Sequence, residues 1–125
     1  MVVQSAPTRV LIADDEPNVR QALGLACEQA LGLSVAAEAA NAAELILLLK
    51  TTHPDIVLLE WGLPGAHAAD LIRQLATNGK LTIIAIGNDP GHAPEAVAAG
   101  VSAFVYKGDP PAKLLDVLQR LPAAR

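Results

Sequence analysis

The chain has 125 residues, 52% of them apolar, a formal charge of −4, one cysteine and a single Phe, Trp and Tyr. That length makes one domain able to bury most of its surface around an aliphatic, alanine-rich core. One cysteine excludes a disulfide framework, and the lack of a Lys/Arg cluster argues against direct nucleic-acid binding. No apolar run approaches the ~18 residues of a membrane span, and no leader-like segment opens the chain, so cytoplasmic residence is expected.

In chain order, residues 1–7 read as a disordered tail. Thr8–Ala13 is a short β-branched run that ends in Asp14-Asp15-Glu16. Pro17–Leu31 reads as a helix, with Pro17 in the first turn, Val19, Leu23, Cys27 and Ala30 on one face, and Gly32 as its stop. Leu33–Glu38 is a second strand, less apolar and so expected at a sheet edge. Asn41 is a candidate N-cap for a helix over Ala42–Thr51, with Ile46 and Leu49 facing inward. Asp55–Leu59 is the third strand and Ala66–Thr77 the third helix. Leu81–Ile86, entered from the turn Asn78-Gly79, is the fourth strand, followed by a short helix Ala93–Ala99 that stops at Gly100. Val101–Tyr106 is the fifth strand, and Pro110/Pro111 start a last helix to about Leu121.

Strands that alternate with helices require right-handed crossovers and a parallel sheet covered on both faces. The predicted fold is α/β: a (βα)5 flavodoxin-like three-layer sandwich with a five-stranded parallel sheet of order 2-1-3-4-5. In such sheets the site lies at the carboxyl ends of the strands, near the switch between strands 1 and 3. Asp14–Glu16 and Glu60 end those two strands and should converge. Lys107, at the end of strand 5, brings a positive charge to the same rim.

The run Ile56-Val57-Leu58-Leu59 ending in Glu60, with Gly62-Leu63-Pro64-Gly65 after it, resembles the third strand of response-regulator receiver domains. The likeness extends from Val10 to Leu121. Asp14-Asp15 resemble that family's metal-binding acidic pair, and Gly62 stands where a backbone carbonyl completes the metal site, which implies Mg²⁺ held by Asp14, Asp15, Glu60 and Gly62. Phe104 stands where the family has a switch aromatic, and Lys107 and Gly87 where it has phosphate-site residues. Glu38–Asn41 and Lys107–Asp109 resemble the subfamily with a helix-turn-helix output domain. The receiver-like unit would span 8–122, with any output domain outside this chain.

Two departures fall on the reaction centre. Glu60 replaces the phosphoacceptor aspartate, and its extra methylene moves the carboxylate outward by about 1.5 Å. Gly87 replaces a Ser or Thr whose hydroxyl would stabilise the transferred group. Together they imply a pseudo-receiver, not an enzyme, that signals through protein contact and is independent of phosphorylation. The contact would be a protein partner or a homodimer through helix 4, strand 5 and helix 5, with a sensor kinase as a further partner. Helix 4 has almost no charge, and Lys113, Asp116 and Arg120 give helix 5 both signs, which suits a two-fold contact; a well-packed monomer is the alternative.

Other readings stay open. Glu60 and Lys107 form an ion pair, or Glu60 (or another carboxylate nearby) is a working phosphoacceptor; a small-ligand-binding flavodoxin-like module is a third reading. Asp14-Asp15 form a remnant site or merely end a strand and cap a helix. Trp61 packs locally or marks a partner surface. Cys27 reads as a buried small hydrophobe, and His53, His67 and His92 as surface histidines.

Overall fold

The computed structural model describes residues 7–30, 32–77 and 79–121. Residues 1–6 of the expected 1–7 tail, the end of the 8–122 unit, Leu31 and the Asn78 half of the turn fall outside that range. The strands are β1 (Thr8–Ala13), β2 (Leu33–Ala39), β3 (Ile56–Glu60), β4 (Thr82–Gly87) and β5 (Ala103–Tyr106). The helices are α1 (Pro17–Gln29), α2 (Ala42–Thr52), α3 (Ala68–Ala76), α4 (Ala93–Ala99, after a 3-10 turn at Pro90–His92) and α5 (Pro111–Gln119). The sheet is parallel, in the order β2-β1-β3-β4-β5. The (βα)5 flavodoxin-like fold and the edge position of β2 are therefore both as the sequence predicts.

The buried stretches of the three central strands, residues 10–13, 56–59 and 83–86, are apolar because both of their faces are covered. Val10, Ile12, Leu58 and Ile84 point to the layer of α1 and α5, where Cys27 and Leu114 meet them. Leu11, Val57, Leu59 and Ile83 point the other way, to α2, α3 and α4. The period of two splits one apolar run between two cores.

Local signals account for several boundaries. Asn41 caps α2, its side chain accepting from Glu44 N at 2.9 Å, while the Glu44 carboxylate returns to Ala40 N at 2.7 Å. Gly100, at φ 124°, ends α4 where a Cβ would lie 2.8 Å from that of Ala76.

Some expectations are corrected. Ile46 does not face inward: it is exposed, and Ala42 and Leu45 form the buried face of α2. An Ile-Leu-Leu-Leu run has no polar residue to mark which side is out. Helix α1 ends at Gln29, before Gly32, because Ala30 is already extended; Gly32, at φ 83°, instead aligns its carbonyl to accept from Thr8 N at 2.8 Å. Helix α3 starts at Ala68 and ends at Ala76, and β3 runs one residue further than expected, to include Glu60. On α5, Asp116 and Arg120 pair with each other at 3.1 Å, so those charges are already matched within the helix.

Leu58, fully buried in the central strand, gives a test of the core. Leu58→Ala is expected to lower unfolding stability by about 3 kcal/mol, seen as a reduced urea midpoint with an unchanged m-value.

Candidate functional site at the carboxyl edge of the sheet

Parallel register sets the site. Ala13 lies beside Leu59 and Glu60 beside Ile86, while Gly87 lies beside Tyr106. The residues at or just beyond the strand ends, Asp14, Glu60, Gly87 and Lys107, therefore reach one edge together. Two loop hydrogen bonds hold that edge level: Trp61 N donates to Ile86 O and Lys107 N to Gly87 O, both at 2.8 Å. The loop after β3 is pinned by Ala42 N donating to Pro64 O at 2.9 Å.

The side chains converge on one ammonium. Lys107 Nζ lies 2.8 Å from Glu60 Oε1, 3.1 Å from Asp14 Oδ2 and 3.8 Å from Glu16 Oε1. Asp14 is 1% exposed, Glu60 7%, and the Lys107 side chain 14%. Two carboxylates this far from water require a counter-charge. Asp14 Oδ1 accepts from Glu16 N at 2.9 Å, which folds the acidic loop back on itself. Asp14 Oδ2 receives no directed hydrogen bond; its contact with Lys107 is an ion pair without good donor alignment.

Asp15 N donates to Glu60 Oε2 at 3.3 Å, joining the two acidic segments. Its own carboxyl is raised above 3.8, chiefly by a hydrogen bond to the Glu60 carboxylate and by that group's charge. Asp14, Asp15, Glu16 and Glu60 each place an oxygen within 4.8 Å of the others. The sequence reading left Glu16 out of the ligand set, although it stands in the acidic triplet.

Arg20 was also missed. Its Nη1 donates to the Asp14 carbonyl at 2.7 Å while Nε pairs with Glu38 at 3.2 Å, so the acidic loop is tied to the end of β2. An Arg one turn into a helix has no local signal that distinguishes it from an ordinary surface charge.

Around Gly87 the packing is aromatic. A Cβ there would lie 2.8 Å from Phe104 Cζ and 3.3 Å from Trp61 Cβ, so the Phe104 ring occupies the volume a Ser or Thr side chain would need. Trp61 packs locally: its ring stacks on His92 with centroids 5.5 Å apart. His92 is accordingly half-buried, with Nδ1 shielded from water, and is not the plain surface histidine the sequence suggests. Cys27 is buried, and burial pushes its thiol up to about 11, as befits a small hydrophobe. Gly62 lies beside the centre, its Cβ position 4.0 Å from Glu60 Oε1. Gly108 is a glycine for a steric reason: the Tyr106 ring lies across it where a Cβ would collide.

This chain belongs to the response regulator receiver domain family, whose pattern it matches over residues 10–119. It is 29% identical over 114 residues to the uncharacterized transcriptional regulatory protein YxjL of Bacillus subtilis, covering 89% of this chain and 52% of that protein. To the nitrate/nitrite response regulator NarL of Escherichia coli it is 26% identical over 120 residues, covering 94% and 56%. The chain thus spans about half the length of these two relatives. A LuxR-family two-component response regulator from Aurantimonas sp. SI85-9A1 superposes with a TM-score of 0.82 at 32% identity, covering 90% of this chain and 83% of that one. Receiver domains hold Mg²⁺ in an acidic pocket, and this chain has an acidic cluster at the corresponding edge.

Lys107 offers a direct test of the charge balance. Burial pulls its ammonium down, but the Glu60 and Asp14 carboxylates outweigh that and hold it above 10.5. Its stabilisation is therefore fully present below pH 10.5 and lost as pH rises through the raised folded value. Lys107→Met, which strands two buried carboxylates, is expected to cost about 3–5 kcal/mol at neutral pH. The gap between wild type and variant should narrow on the alkaline side in urea unfolding at a series of pH values.

Proposed function

We propose that this receiver domain signals through protein contact without phosphotransfer, as a pseudo-receiver acting in the cytoplasm. The observation that carries this reading is the joint occupation of the centre. Glu60, at the phosphoacceptor-equivalent position, is already paired with Lys107 at 2.8 Å, and the Phe104 ring fills the hydroxyl-bearing volume at Gly87. A phosphoryl group needs that lysine as its counter-charge and a hydroxyl donor beside it. Here the first is engaged by three carboxylates and the second is absent.

The same contacts suggest how a fixed signal is held. Glu60 supplies negative charge to Lys107 where a phosphoryl oxygen would, and Phe104, in the switch-aromatic role, is packed inward against β4 and Trp61. The face of α4, β5 and α5 is then presented in one arrangement to a protein partner or a second copy. Val97, 58% exposed on a helix with one acidic residue, suits such a contact. A sensor kinase and an output domain elsewhere in a longer protein belong to the same reading.

The residues present fit a divalent cation in part. The undirected oxygen Asp14 Oδ2 and the mutual repulsion of Asp15 and Glu60 both favour one, while Lys107 already neutralises some of the charge. Asp14, Asp15 and Glu60, with the carbonyl of Gly62, would hold Mg²⁺. When bound, it would supply charge neutralisation at the acidic edge.

Intact-mass spectrometry after incubation with acetyl phosphate and Mg²⁺ tests the central reading. No phosphoryl increment is expected; a stoichiometric one mapped to Glu60 would return the domain to the phosphorylatable class. For the metal, Trp61 is the only tryptophan and lies beside the site. Its fluorescence should respond to Mn²⁺ or Mg²⁺ only weakly, and more strongly in Lys107→Met, where the competing ammonium is gone. A flat titration in both proteins would mean that the cluster holds no metal.

A further inference from the structure

Between α1 and the start of α5 lies a cleft of about 310 Å³, at the lower end of the ~300–1,000 Å³ of small-molecule sites. Its walls are apolar: Val19, Leu23, Ala26, Val105 and Leu114. The cleft is open because α1 places the small residues Ala22 and Ala26 on that side. The Pro110-Pro111 pair, with Pro110 extended at ψ 152°, delays the start of α5. Of the charged lining residues, Lys107 belongs to the Glu60 centre and Asp109 does not.

Four lining residues break the apolar pattern, Asn18, Tyr106, Lys107 and Asp109, and Asp109 is the one that brings negative charge. Asp109 is half-buried at the cleft, and among the described residues its carboxylate has no ion pair and accepts no hydrogen bond. Lys107 also borders the cleft, but its ammonium is held by Glu60, Asp14 and Glu16 and is not free to answer Asp109. Those acidic neighbours leave the surrounding field negative. A carboxylate partly removed from water without a partner is unfavourable, and a cationic group placed beside it recovers that cost.

We propose that this cleft binds a small amphipathic organic cation, its apolar body between α1 and α5 and its ammonium on Asp109. The volume admits a compact alicyclic or aromatic body. Charge separates this ligand class from fatty acids and nucleotides, which Asp109 and the acidic edge would repel.

Cyclohexylmethylamine, cyclohexylmethanol and cyclohexanecarboxylate share one body and differ in charge. Titrated into the ¹⁵N-labelled full chain, the amine should shift the amides of Ala22, Ala26, Val105 and Leu114 saturably. It should bind about tenfold more tightly than the alcohol, and the carboxylate more weakly still. Asp109→Asn should bring the amine to the level of the alcohol. Ala22→Phe, which projects a ring into the cleft from an exposed helical position, should abolish binding of all three with the circular dichroism spectrum unchanged. Should Ala22→Phe not fold, Asp109→Asn, in a surface loop, decides the matter alone. The proposal is overturned by an amine that gives no saturable shift, or by a folded Ala22→Phe that still binds it. Equal affinity for the three probes, indifferent to Asp109→Asn, would also overturn it and leave an apolar groove suited to a partner helix.

Discussion

The contact between the Lys107 ammonium and the Glu60 carboxylate is the constraint on which the carboxyl edge of this domain depends. Parallel strands of matched register must deliver their loops to one side, and here those loops bring four carboxylates within 4.8 Å of one another. Two of the four are almost wholly removed from water. Such an edge is stable only with a cation at its centre, and β5 provides one by ending a residue before Lys107. The charge pair is thus a condition of the fold as well as the core of the site.

From that centre the packing runs outward through aromatic rings. Glu60 precedes Trp61, whose ring stacks on His92; its Cβ and the Phe104 ring both crowd the position of Gly87. A side chain at position 87 would have to displace one of them. The absence of a hydroxyl there and the inward position of Phe104 are therefore one structural fact. Glu60 and Gly87 are each matched by a neighbour, Lys107 for the first and Phe104 for the second.

Much of this was legible in the sequence. The alternation of short apolar runs with helical patterns dictates the (βα)5 order, and acidic or basic residues at three strand ends mark the candidate functional edge. Strand topology then makes the meeting of Glu60 with Lys107 predictable. What the sequence hides is long-range packing. Nothing local says that Arg20 reaches the Asp14 carbonyl, that His92 lies against Trp61, or that the Phe104 ring lies over Gly87. The exposure of Ile46 was misread for a related reason: an uninterrupted apolar run carries no phase, and only contact with β2 and β1 decides which residues of α2 face inward. The α1–α5 cleft is a volume left between elements, which no residue pattern announces.

The proposed function implies that the Phe104 ring lies over Gly87 without any phosphoryl group at the centre. Phe104 is the only phenylalanine, so its ring resonances are assigned by composition alone. Nuclear Overhauser contacts from that ring to Gly87 and Trp61, measured with and without beryllofluoride and Mg²⁺, test the claim most directly. The account predicts the same inward contacts in both samples. A ring that lacks them in the untreated protein and gains them when beryllofluoride is added would contradict it.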